Sequence, residues 1–461
     1  MAVAAPGADL ESLARIVAEE QARHPIPGVA VGIVDGDHEL TAAFGVTSVD
    51  HALPVALDTY FQVGSITKTF LGTLVMALVD AGRLDLDEPV RRWIPDLRLR
   101  DEDAAGRVTL RHCLMHICGW FGDHFADYGP GDACLARYVA SLSELEQQVP
   151  LGTEWAYNNA AFGLAGRVVE LVTDRTIERA IRDLVMRPLG LERSCFFADE
   201  VVTFRVAAGH NVFHGTPRVA RPWAIPRASN AVGGIVSTVP ELLRYARFHM
   251  GDGMTAGRDR YMSARAMDIM RSPLVPATLG LHRGIAWSVE DAPTGIRVIG
   301  HNGATIGQQA LLWIAPARRC AIAMLTNSSQ ATQLQLAVTR WWRERWLGLP
   351  RRLPVSRPHT SDEAARVAGH YANPANEIHI RAEGGRLVFQ QTLHGSLRAL
   401  MEEPPPQPEP VELAFTRPDR LVHLGGPLKD SEVELRGDLA EPLEWIRFGG
   451  RLYRKEEEAG A

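Results

Sequence analysis

Residues 61–70, FQVGSITKTF, open an apolar helical run and place a serine and a lysine three positions apart. Ser65 lies where the helix is predicted to begin, and Lys68 follows one turn later, so both side chains lie on one face of the first turn. A serine hydroxyl is a weak nucleophile until a neighbour removes its proton, and a lysine in a dry apolar pocket can lose its own proton and do so. The N–H groups of a helix start also stabilise negative charge on a substrate oxygen. Alone, the pattern is more often a helix-start serine beside a solvated lysine. The remaining motifs must therefore distinguish that interpretation from a catalytic serine–lysine pair.

The second candidate element is the segment 155–159, WAYNN, which follows a Pro-Leu-Gly turn. Tyr157 and Asn159 are two positions apart in a predicted loop and can point the same way. A phenol can pass a proton if neighbouring cations lower its pKa. The asparagine amide offers both a donor and an acceptor, which suits a substrate amide or the lysine. This segment therefore supplies candidates for proton transfer and for positioning.

The third candidate element is the segment 300–304, GHNGA, at the start of a predicted strand. Gly303 has no side chain and would let a substrate backbone approach that strand edge closely. The backbone N–H of Ala304 could pair with that of Ser65 to form an oxyanion hole. His301 occupies the second position of this element.

Length and composition predict a soluble protein with two domains, and three are possible. The chain has 461 residues and a formal net charge of −6, and it contains no basic run of the kind that binds nucleic acid. No apolar run reaches membrane-spanning length, and residues 1–10 do not resemble a signal peptide. The five cysteines are odd in number and do not form a disulfide or zinc pattern. We expect reduced thiols, a cytoplasmic location, a small-molecule or peptide substrate, and no nucleic-acid or membrane partner; the oligomeric state stays open.

The order of predicted elements indicates an α/β (α+β) protein. Residues 29–34 and 39–46 form a predicted hairpin around an Asp-Gly-Asp turn, and three more strands are predicted within residues 298–326. The segment between them, residues 84–225, is mostly helical. The simplest arrangement is one antiparallel sheet, built from both ends of this region, with helices packed on it.

A proline- and arginine-rich segment, residues 349–361, is predicted to be a linker between domain 1–348 and domain 362–461. Seven short alternating strands follow, with residues 402–410 as a proline-rich loop, and they predict a small β-barrel or sandwich. No nucleophile and base are paired there. We therefore expect this domain to add stability or to cover part of the site, in preference to forming an independent ligand pocket.

The three elements, in this order and spacing, resemble the penicillin-recognising serine enzymes. More closely, they resemble the branch that holds class C β-lactamases, D-aminopeptidases, family VIII esterases and related acyltransferases. The resemblance covers about residues 10–347 and includes five supporting segments: LDLDEPV (84–90), TLRH (109–112), RPLGL (187–191), GGIVST (233–238) and GATIG (303–307). The C-terminal domain resembles, more weakly, the lipocalin-like β-barrel of some D-peptidases and of penicillin-binding-protein-type thioesterases.

The resemblance implies a role for each candidate residue and no metal or organic cofactor. Ser65 attacks the acyl carbon, and Lys68 is the base or shares that role with Tyr157. Tyr157 then protonates the leaving group and activates the deacylating water. Asn159 orients Lys68 and the substrate, and the N–H groups of Ser65 and Ala304 hold the oxyanion.

Two positions depart from the family pattern. β-Lactamases carry a lysine where this chain has His301, and they use it for the substrate carboxylate. A histidine is only partly charged near pH 7, so a firm carboxylate anchor is not expected here, and peptidase, esterase or acyl-transfer chemistry is favoured over β-lactamase activity. Relatives often carry small hydroxylated residues where Cys118 stands, and a packing role is expected for this thiol.

Other motifs favour structural interpretations. His112 and His116 are four positions apart without an intervening glutamate, which favours a structural role over metal binding. The aromatic residues of segment 120–128 could form a specificity wall or simply pack.

The sequence predicts a serine hydrolase that acts through a Ser65 acyl-enzyme on a small amide, peptide (including D-configured peptides) or ester. One alternative is an acyltransferase or peptide-cyclising thioesterase of the same family, because the partition between water and an amine depends on how the cleft excludes water. The other is a catalytically silent binding protein.

Overall fold

An open eight-stranded antiparallel sheet and a closed eight-stranded barrel organise the chain. The computed structural model describes residues 6–278, 280–350, 354–437 and 443–456. We call residues 6–350 the sheet region and residues 354–456 the barrel region. The strands of the sheet region are β1 (Gly28–Asp35), β2 (His38–Gly45), β3 (Phe61–Gln62), β4 (His210–Phe213), β5 (Thr216–Val219), β6 (Val236–Ser237), β7 (Val275–Thr278), β8 (Leu281–Arg283), β9 (Ser288–Asp291), β10 (Arg297–Thr305), β11 (Gln308–Ala315) and β12 (Cys320–Thr326).

Helices cover both faces of the open sheet, whose strand order is β2-β1-β12-β11-β10-β9-β8-β7. The helices of the sheet region are α1 (Pro6–Arg23), α2 (Thr67–Asp80), α3 (Glu102–Arg107), α4 (Leu110–Leu114), α5 (Cys134–Ala140), α6 (Asn159–Thr173), α7 (Ile177–Ile181), α8 (Ala198–Val201), α9 (Asn230–Gly233), α10 (Val239–Met250), α11 (Ala264–Met270) and α12 (Thr332–Trp342). No helix in the described ranges is long and apolar enough to cross a bilayer.

Strand β1 shows why the central strands are almost wholly apolar. Its alternate residues belong to two different cores: Val31 packs with α1 and α12, whereas Ala30 and Val34 pack in the core that contains α2 and α10. Every residue of β1 except the last is buried. A strand covered on both faces needs apolar residues on both sides.

The barrel closes because β13 pairs with both β14 and β20. Its elements are α13 (Ser361–Val367), β13 (Gly369–Asn373), β14 (Asn376–Glu383), β15 (Arg386–Leu393), α14 (Ser396–Ala399), β16 (Val411–Arg417), β17 (Arg420–His423), β18 (Glu432–Arg436), β19 (Trp445–Phe448) and β20 (Arg451–Lys455). Alternate residues such as Ile378 and Ile380, or Leu387 and Phe389, form one apolar core.

The predicted fold class is confirmed, and so is the N-terminal hairpin. The residues 402–410 form a loop, as predicted. Several strands were missed, among them the hairpin β4–β5, strand β13 and strands β7 to β9. Strand β13 has one buried apolar residue, Tyr371, and strands β7 to β9 have only three or four residues each, so neither carries a clear alternating pattern. Residues 351–353 of the predicted linker lie outside the described residues, and the domain boundaries stay predictions.

Candidate active site

Ser65 lies in a single 3-10 turn, Gly64–Ile66, that leads directly into α2. Gly64 has a φ of +53°, and a Cβ atom there would lie 2.6 Å from the backbone nitrogen of Ala304. Glycine is therefore required at this position for the turn and for the close approach of β10. The side chains of α2 are almost all buried, which explains the apolar run after the serine.

Lys68 is fully buried, and its Nζ lies 3.1 Å from Ser65 Oγ. The same nitrogen donates a hydrogen bond to the carbonyl oxygen of Val232, at 2.8 Å. Burial lowers the pKa of Lys68 well below its usual value of 10.5, and Arg451 lowers it further while Asp123 opposes this. The lowered pKa favours the neutral amine, which is the form of a lysine that can accept a proton from a serine.

Tyr157 is fixed from two sides. Its backbone N–H donates to the carbonyl oxygen of Gly450 at 2.7 Å, and its ring stacks on His116 with the ring centres 4.4 Å apart. Burial raises the pKa of Tyr157 to about 12, although the hydrogen bond with Ser65 and the charge of Arg451 act in the opposite direction. The neighbouring cations thus lower the pKa of the phenol, as the sequence analysis required. Burial raises this pKa by more than the cations lower it, so the phenol stays protonated at neutral pH.

His116 positions the tyrosine, a role that the sequence did not suggest. Its Nδ1 accepts a hydrogen bond from the backbone N–H of Asn158 at 2.9 Å, and burial lowers the pKa of the ring well below its usual value. His112, four residues earlier, instead caps α4 through Thr109. The two histidines have separate hydrogen-bond partners, in agreement with structural roles.

Asn159 is the first residue of α6, and its Nδ2 donates to Asp123 Oδ1 at 2.7 Å rather than to Lys68. Asp123 also receives a bidentate ion pair from Arg451 of β20, at 2.9 and 3.0 Å. The guanidinium of Arg451 lies over the Tyr157 ring, 4.6 Å from its centre. The amide nitrogen thus binds a carboxylate, which is a strong acceptor, and the expectation that Asn159 orients Lys68 and the substrate stays a prediction.

Strand β10 brings the third element against the nucleophile turn. A Cβ atom at Gly303 would lie 1.9 Å from the carbonyl oxygen of Val63 and 3.0 Å from the Ser65 nitrogen. The glycine thus makes room for the Val63–Ser65 backbone of this chain, whereas the sequence analysis invoked a substrate backbone. This contact holds Ala304 beside Ser65, where two backbone N–H groups can face one oxyanion.

Replacing Gly303 by alanine is expected to lower the free energy of unfolding by about 1–3 kcal/mol, because the new methyl group overlaps backbone atoms that cannot rotate away. The matched control is Gly131→Ala, since a Cβ atom there meets nothing within 4 Å. Thermal or urea unfolding of both variants tests the prediction. Equal stability of the two proteins would contradict it.

His301 is buried and neutral. Its Nδ1 lies 2.5 Å from the carbonyl oxygen of Asn302, so this nitrogen carries the proton, and its Nε2 has no partner among the described residues. Burial, Lys68 and Arg283 lower the pKa of His301 to about 3. An uncharged ring cannot replace the lysine that anchors a carboxylate in β-lactamases.

A cavity of about 780 Å³ connects these residues. Ser65, Tyr157, Asn159, His301 and the backbone of residues 303–304 line it, and the fully buried Lys68 lies behind Ser65. The barrel region supplies another wall: Ala375, Asn376, Leu393, Gly395, Ser396, Arg398, Met401, Pro405, Gly449, Gly450 and Arg451. The barrel therefore covers part of the cleft, which was the preferred expectation.

The aromatic segment divides between the two roles considered for it. Trp120 and Phe121 are buried, whereas Phe125 lines the cavity and its backbone N–H donates to Ser396 Oγ of the barrel at 3.0 Å. Cys118 is buried beside Cys113, and burial raises the pKa of its thiol well above the usual value. A buried thiol with a raised pKa agrees with the packing role expected for Cys118.

Asp123→Asn is expected to shift the acid limb of the pH–rate profile to lower pH. The carboxylate raises the pKa of Lys68, so its removal lets the lysine stay neutral at lower pH. Asp127→Asn, in the same loop but exposed, is the control. Measurement of kcat/KM against pH for the native protein and the two variants tests this prediction. A shift of the acid limb toward higher pH in Asp123→Asn would refute the charge argument.

One group of described residues could hold a metal ion: His370, Glu377 and His379 on β13 and β14, whose ligand atoms lie within 4.8 Å of one another. None of them lines the cavity, so the group has no part in the chemistry at Ser65.

The model of the family described as Beta-lactamase matches residues 13–344. This chain belongs to the beta-lactamase family. It is a serine hydrolase of that family, which includes relatives named as penicillin-binding protein, esterase and beta-lactamase.

Two relatives show which kinds of protein in the beta-lactamase family are similar in sequence to this chain. "Penicillin-binding protein 4" of Amycolatopsis lactamdurans is 36% identical over 318 residues, covering 67% of this chain and 83% of the relative. Esterase EstB of Burkholderia gladioli is 30% identical over 198 residues, covering 40% of this chain and 50% of the relative.

Solved structures share the fold of this chain over its whole length or over most of it. SurE aligns over 98% of this chain and 99% of its own, with a TM-score of 0.72 and 24% identity. A class C beta-lactamase aligns over 71% of this chain and 93% of its own, with a TM-score of 0.62 and 22% identity.

Proposed function

We propose that this chain is an acyl-serine hydrolase that uses Ser65 as nucleophile on a small ester, amide or peptide, including D-configured peptides. The observation that carries the proposal is the 3.1 Å distance between Ser65 Oγ and the Nζ of a fully buried lysine. Burial disfavours the ammonium form of Lys68, so that the amine is available as a base at neutral pH. Asn159 and Asp123 belong to the wall that positions the substrate.

In the acylation step, Ser65 Oγ attacks the carbonyl carbon of the substrate while its proton passes to Lys68 Nζ. The bond to the leaving group breaks, and the proton passes on to the leaving alcohol or amine. Tyr157, whose pKa of about 12 keeps it a phenol, is suited to donate this proton and to recover one from Lys68. The N–H groups of Ser65 and Ala304 stabilise the oxyanion.

In the deacylation step, water attacks the acyl-enzyme carbonyl and gives up one proton to the Tyr157–Lys68 pair. Ser65 Oγ recovers a proton, and the carboxylic acid product leaves. No other reactant is consumed. The neutral His301 favours substrates other than β-lactams, because the position offers a hydrogen bond instead of a fixed positive charge.

Acyl transfer to an amine is the second candidate. It is favoured by the barrel wall, because the segments 375–376, 393–405 and 449–451 limit the access of bulk water to the cavity. An amine bound in the cavity would then attack the acyl-enzyme in place of water.

The five cysteines are all free and buried in the structure. Free thiols are typical of a reducing compartment, and this supports our proposal of a cytoplasmic protein.

Intact-protein mass spectrometry with a fluorophosphonate probe tests the proposal, followed by peptide mapping and an assay with a chromogenic ester. We expect one adduct, on Ser65, together with ester turnover. Addition of an amine acceptor then measures the partition between hydrolysis and transfer. The absence of both adduct and turnover would refute the proposal and favour a catalytically silent binding protein.

A further inference from the structure

Two histidines and a glutamate lie together on the outer face of the barrel: His370 on β13, and His379 and Glu377 on β14. His370 pairs directly with His379 in the ladder between these strands, and Glu377 is two positions before His379. The residues that alternate with them, such as Tyr371 and Ile378, are buried in the barrel core. Because alternate residues of a strand point to opposite faces, the three side chains share the face that points away from this core.

The distances between the polar atoms of this group are close to those between ligands of one ion. His370 Nε2 lies 3.6 Å from Glu377 Oε2, and His379 Nε2 lies 4.0 Å from the same oxygen. Both separations exceed the usual length of a hydrogen bond, which is about 2.7–3.2 Å. Two ligands of a tetrahedral Zn²⁺ ion, each about 2.0–2.2 Å from the metal, are about 3.4 Å apart. Small side-chain rotations would therefore bring these atoms around one ion.

The ring of His379 is the one that has to turn. The imidazoles of His370 and His379 are stacked, with their centres 4.2 Å apart and their planes 7° from parallel. Two rings that share an ion tilt toward it, because the nitrogen lone pair lies in the plane of each ring. The side chain of His379 is 41% exposed, so it can tilt without disturbing the barrel core.

His370 is already oriented for metal binding. A carboxylate oxygen of Glu456, the residue after β20, lies 3.2 Å from His370 Nδ1. This carboxylate can hold the proton on Nδ1, which leaves the lone pair on Nε2. His370 Nε2 is buried and has no hydrogen-bond partner among the described residues. Histidines that bind zinc usually have such a carboxylate, carbonyl or water at the nitrogen that faces away from the metal.

His394, which follows β15, offers a fourth ligand. Its Nε2 lies 3.5 Å from Glu377 Oε1, and its side chain is exposed. Three imidazoles and one carboxylate suit Zn²⁺, whereas Mg²⁺ and Ca²⁺ prefer oxygen ligands. The donor set therefore selects a transition metal.

We propose that His370, Glu377, His379 and His394 bind one Zn²⁺ ion, and that this ion fastens the seam at which the barrel closes. The inference goes beyond the proposed function and does not depend on the chemistry at Ser65.

The seam between β13 and β20 is short. These strands pair through two described residue pairs, whereas β14 and β15 pair through eight. The ion would join β14 to β13 directly. It would reach the end of β20 through Glu456, whose backbone N–H also donates to the carbonyl oxygen of His370 at 2.9 Å. One ion would thus hold three consecutive strands of the barrel.

Isothermal titration of the metal-free protein with ZnCl₂ tests the site. The protein is first treated with a chelator, which is then removed by dialysis. We expect one ion per chain with a dissociation constant below about 1 μM, and no comparable binding of MgCl₂. The absence of Zn²⁺ binding, or several weak sites without a tight one, would overturn the inference.

His379→Ala and Glu377→Ala should each lower the Zn²⁺ affinity by at least about 100-fold, because each removes a ligand. Both side chains are about two-fifths exposed, so the metal-free variants should melt at the temperature of the metal-free native protein. His38→Ala is the matched control, since His38 is exposed on β2 and belongs to no such group in the described ranges. Native affinity in His379→Ala would overturn the assignment of the ligands.

Amide hydrogen exchange of the native protein, with and without saturating ZnCl₂, tests the role at the seam. Exchange in β13 and β20 should slow by about 10-fold or more with Zn²⁺, whereas exchange in β1 of the open sheet should not change. Glu456→Ala should weaken Zn²⁺ binding by about 10- to 100-fold. Tight Zn²⁺ binding that leaves exchange in both β13 and β20 unchanged would refute the fastening of the seam.

Discussion

Ser65→Ala is expected to lower kcat/KM for any ester substrate by about 10⁵-fold or more. The substitution removes the only atom that can form the acyl-enzyme in our mechanism, and Lys68 cannot replace it as a nucleophile without losing its role as base. Labelling by a fluorophosphonate should be lost at the same time. Intact-protein mass spectrometry and ester turnover provide the two measurements.

The structural effect of Ser65→Ala should be small. The hydroxyl lines the cavity, and Lys68 Nζ keeps its hydrogen bond to the carbonyl oxygen of Val232. The melting temperature should therefore change by no more than a few degrees. Ser143→Ala, on the short 3-10 helix Ser141–Glu144 and outside the cavity, is the control and should keep full labelling. A persistent adduct in Ser65→Ala would show that another residue is the nucleophile.

The residues of the site that could be predicted from the sequence are those joined by local geometry. Ser65 and Lys68 are three positions apart on one helical turn, and Tyr157 and Asn159 are two positions apart before α6. A short motif fixes the relative placement of such residues, because the backbone between them has few conformations. Gly303 was also singled out from its motif, although the physical need for it lies in the contact with Val63, whereas the need for Gly64 became visible only in the structure.

The residues that could not be predicted are joined only by the tertiary fold. Asp123 and Arg451 are separated by 328 positions, and their ion pair depends on how the barrel docks on the sheet region. Arg283 belongs to a three-residue strand that has no detectable period. The glycine pair 449–450 marks a hairpin, but no pattern indicates which of the barrel hairpins meets the cavity.

Burial was the other quantity that the sequence did not supply. The effect of cations on the Tyr157 pKa could be anticipated in sign, yet the net direction depends on the loss of hydration around the phenol. The same loss of hydration lowers the pKa of Lys68 and so supports the role of base that we propose for it. The two groups respond in opposite directions because burial disfavours the charged form of each: the ammonium of the lysine and the phenolate of the tyrosine.

Lys68→Met is expected to lower kcat/KM by about 10³- to 10⁴-fold, because the variant keeps the length and burial of the side chain but has no group to accept the serine proton. Lys68→Arg should be similarly inactive, since a guanidinium keeps its positive charge and cannot act as a base. Lys429→Met, at an exposed position of the barrel region, is the control. Activity in Lys68→Arg close to that of the native protein would mean that charge, and not proton transfer, is the contribution of this residue.

The pH dependence gives the sharper test of Lys68. In the native protein, kcat/KM should rise with pH through a pKa well below 10.5 and then stay level, because Tyr157, with a pKa of about 12, remains protonated over the neutral range. The residual activity of Lys68→Met should lack this acid limb.

The stability of the folded protein should depend on pH for the same reason. The unfolded chain binds a proton at Lys68 that the folded protein does not bind, so the free energy of unfolding decreases as the pH falls from 10.5 toward the pKa of Lys68 in the folded protein. Lys68→Met carries no such cost and should melt at a higher temperature than the native protein at pH 7, although it is far less active. A lower melting temperature together with an unchanged acid limb would show that the buried side chain is charged and that the base must be sought elsewhere.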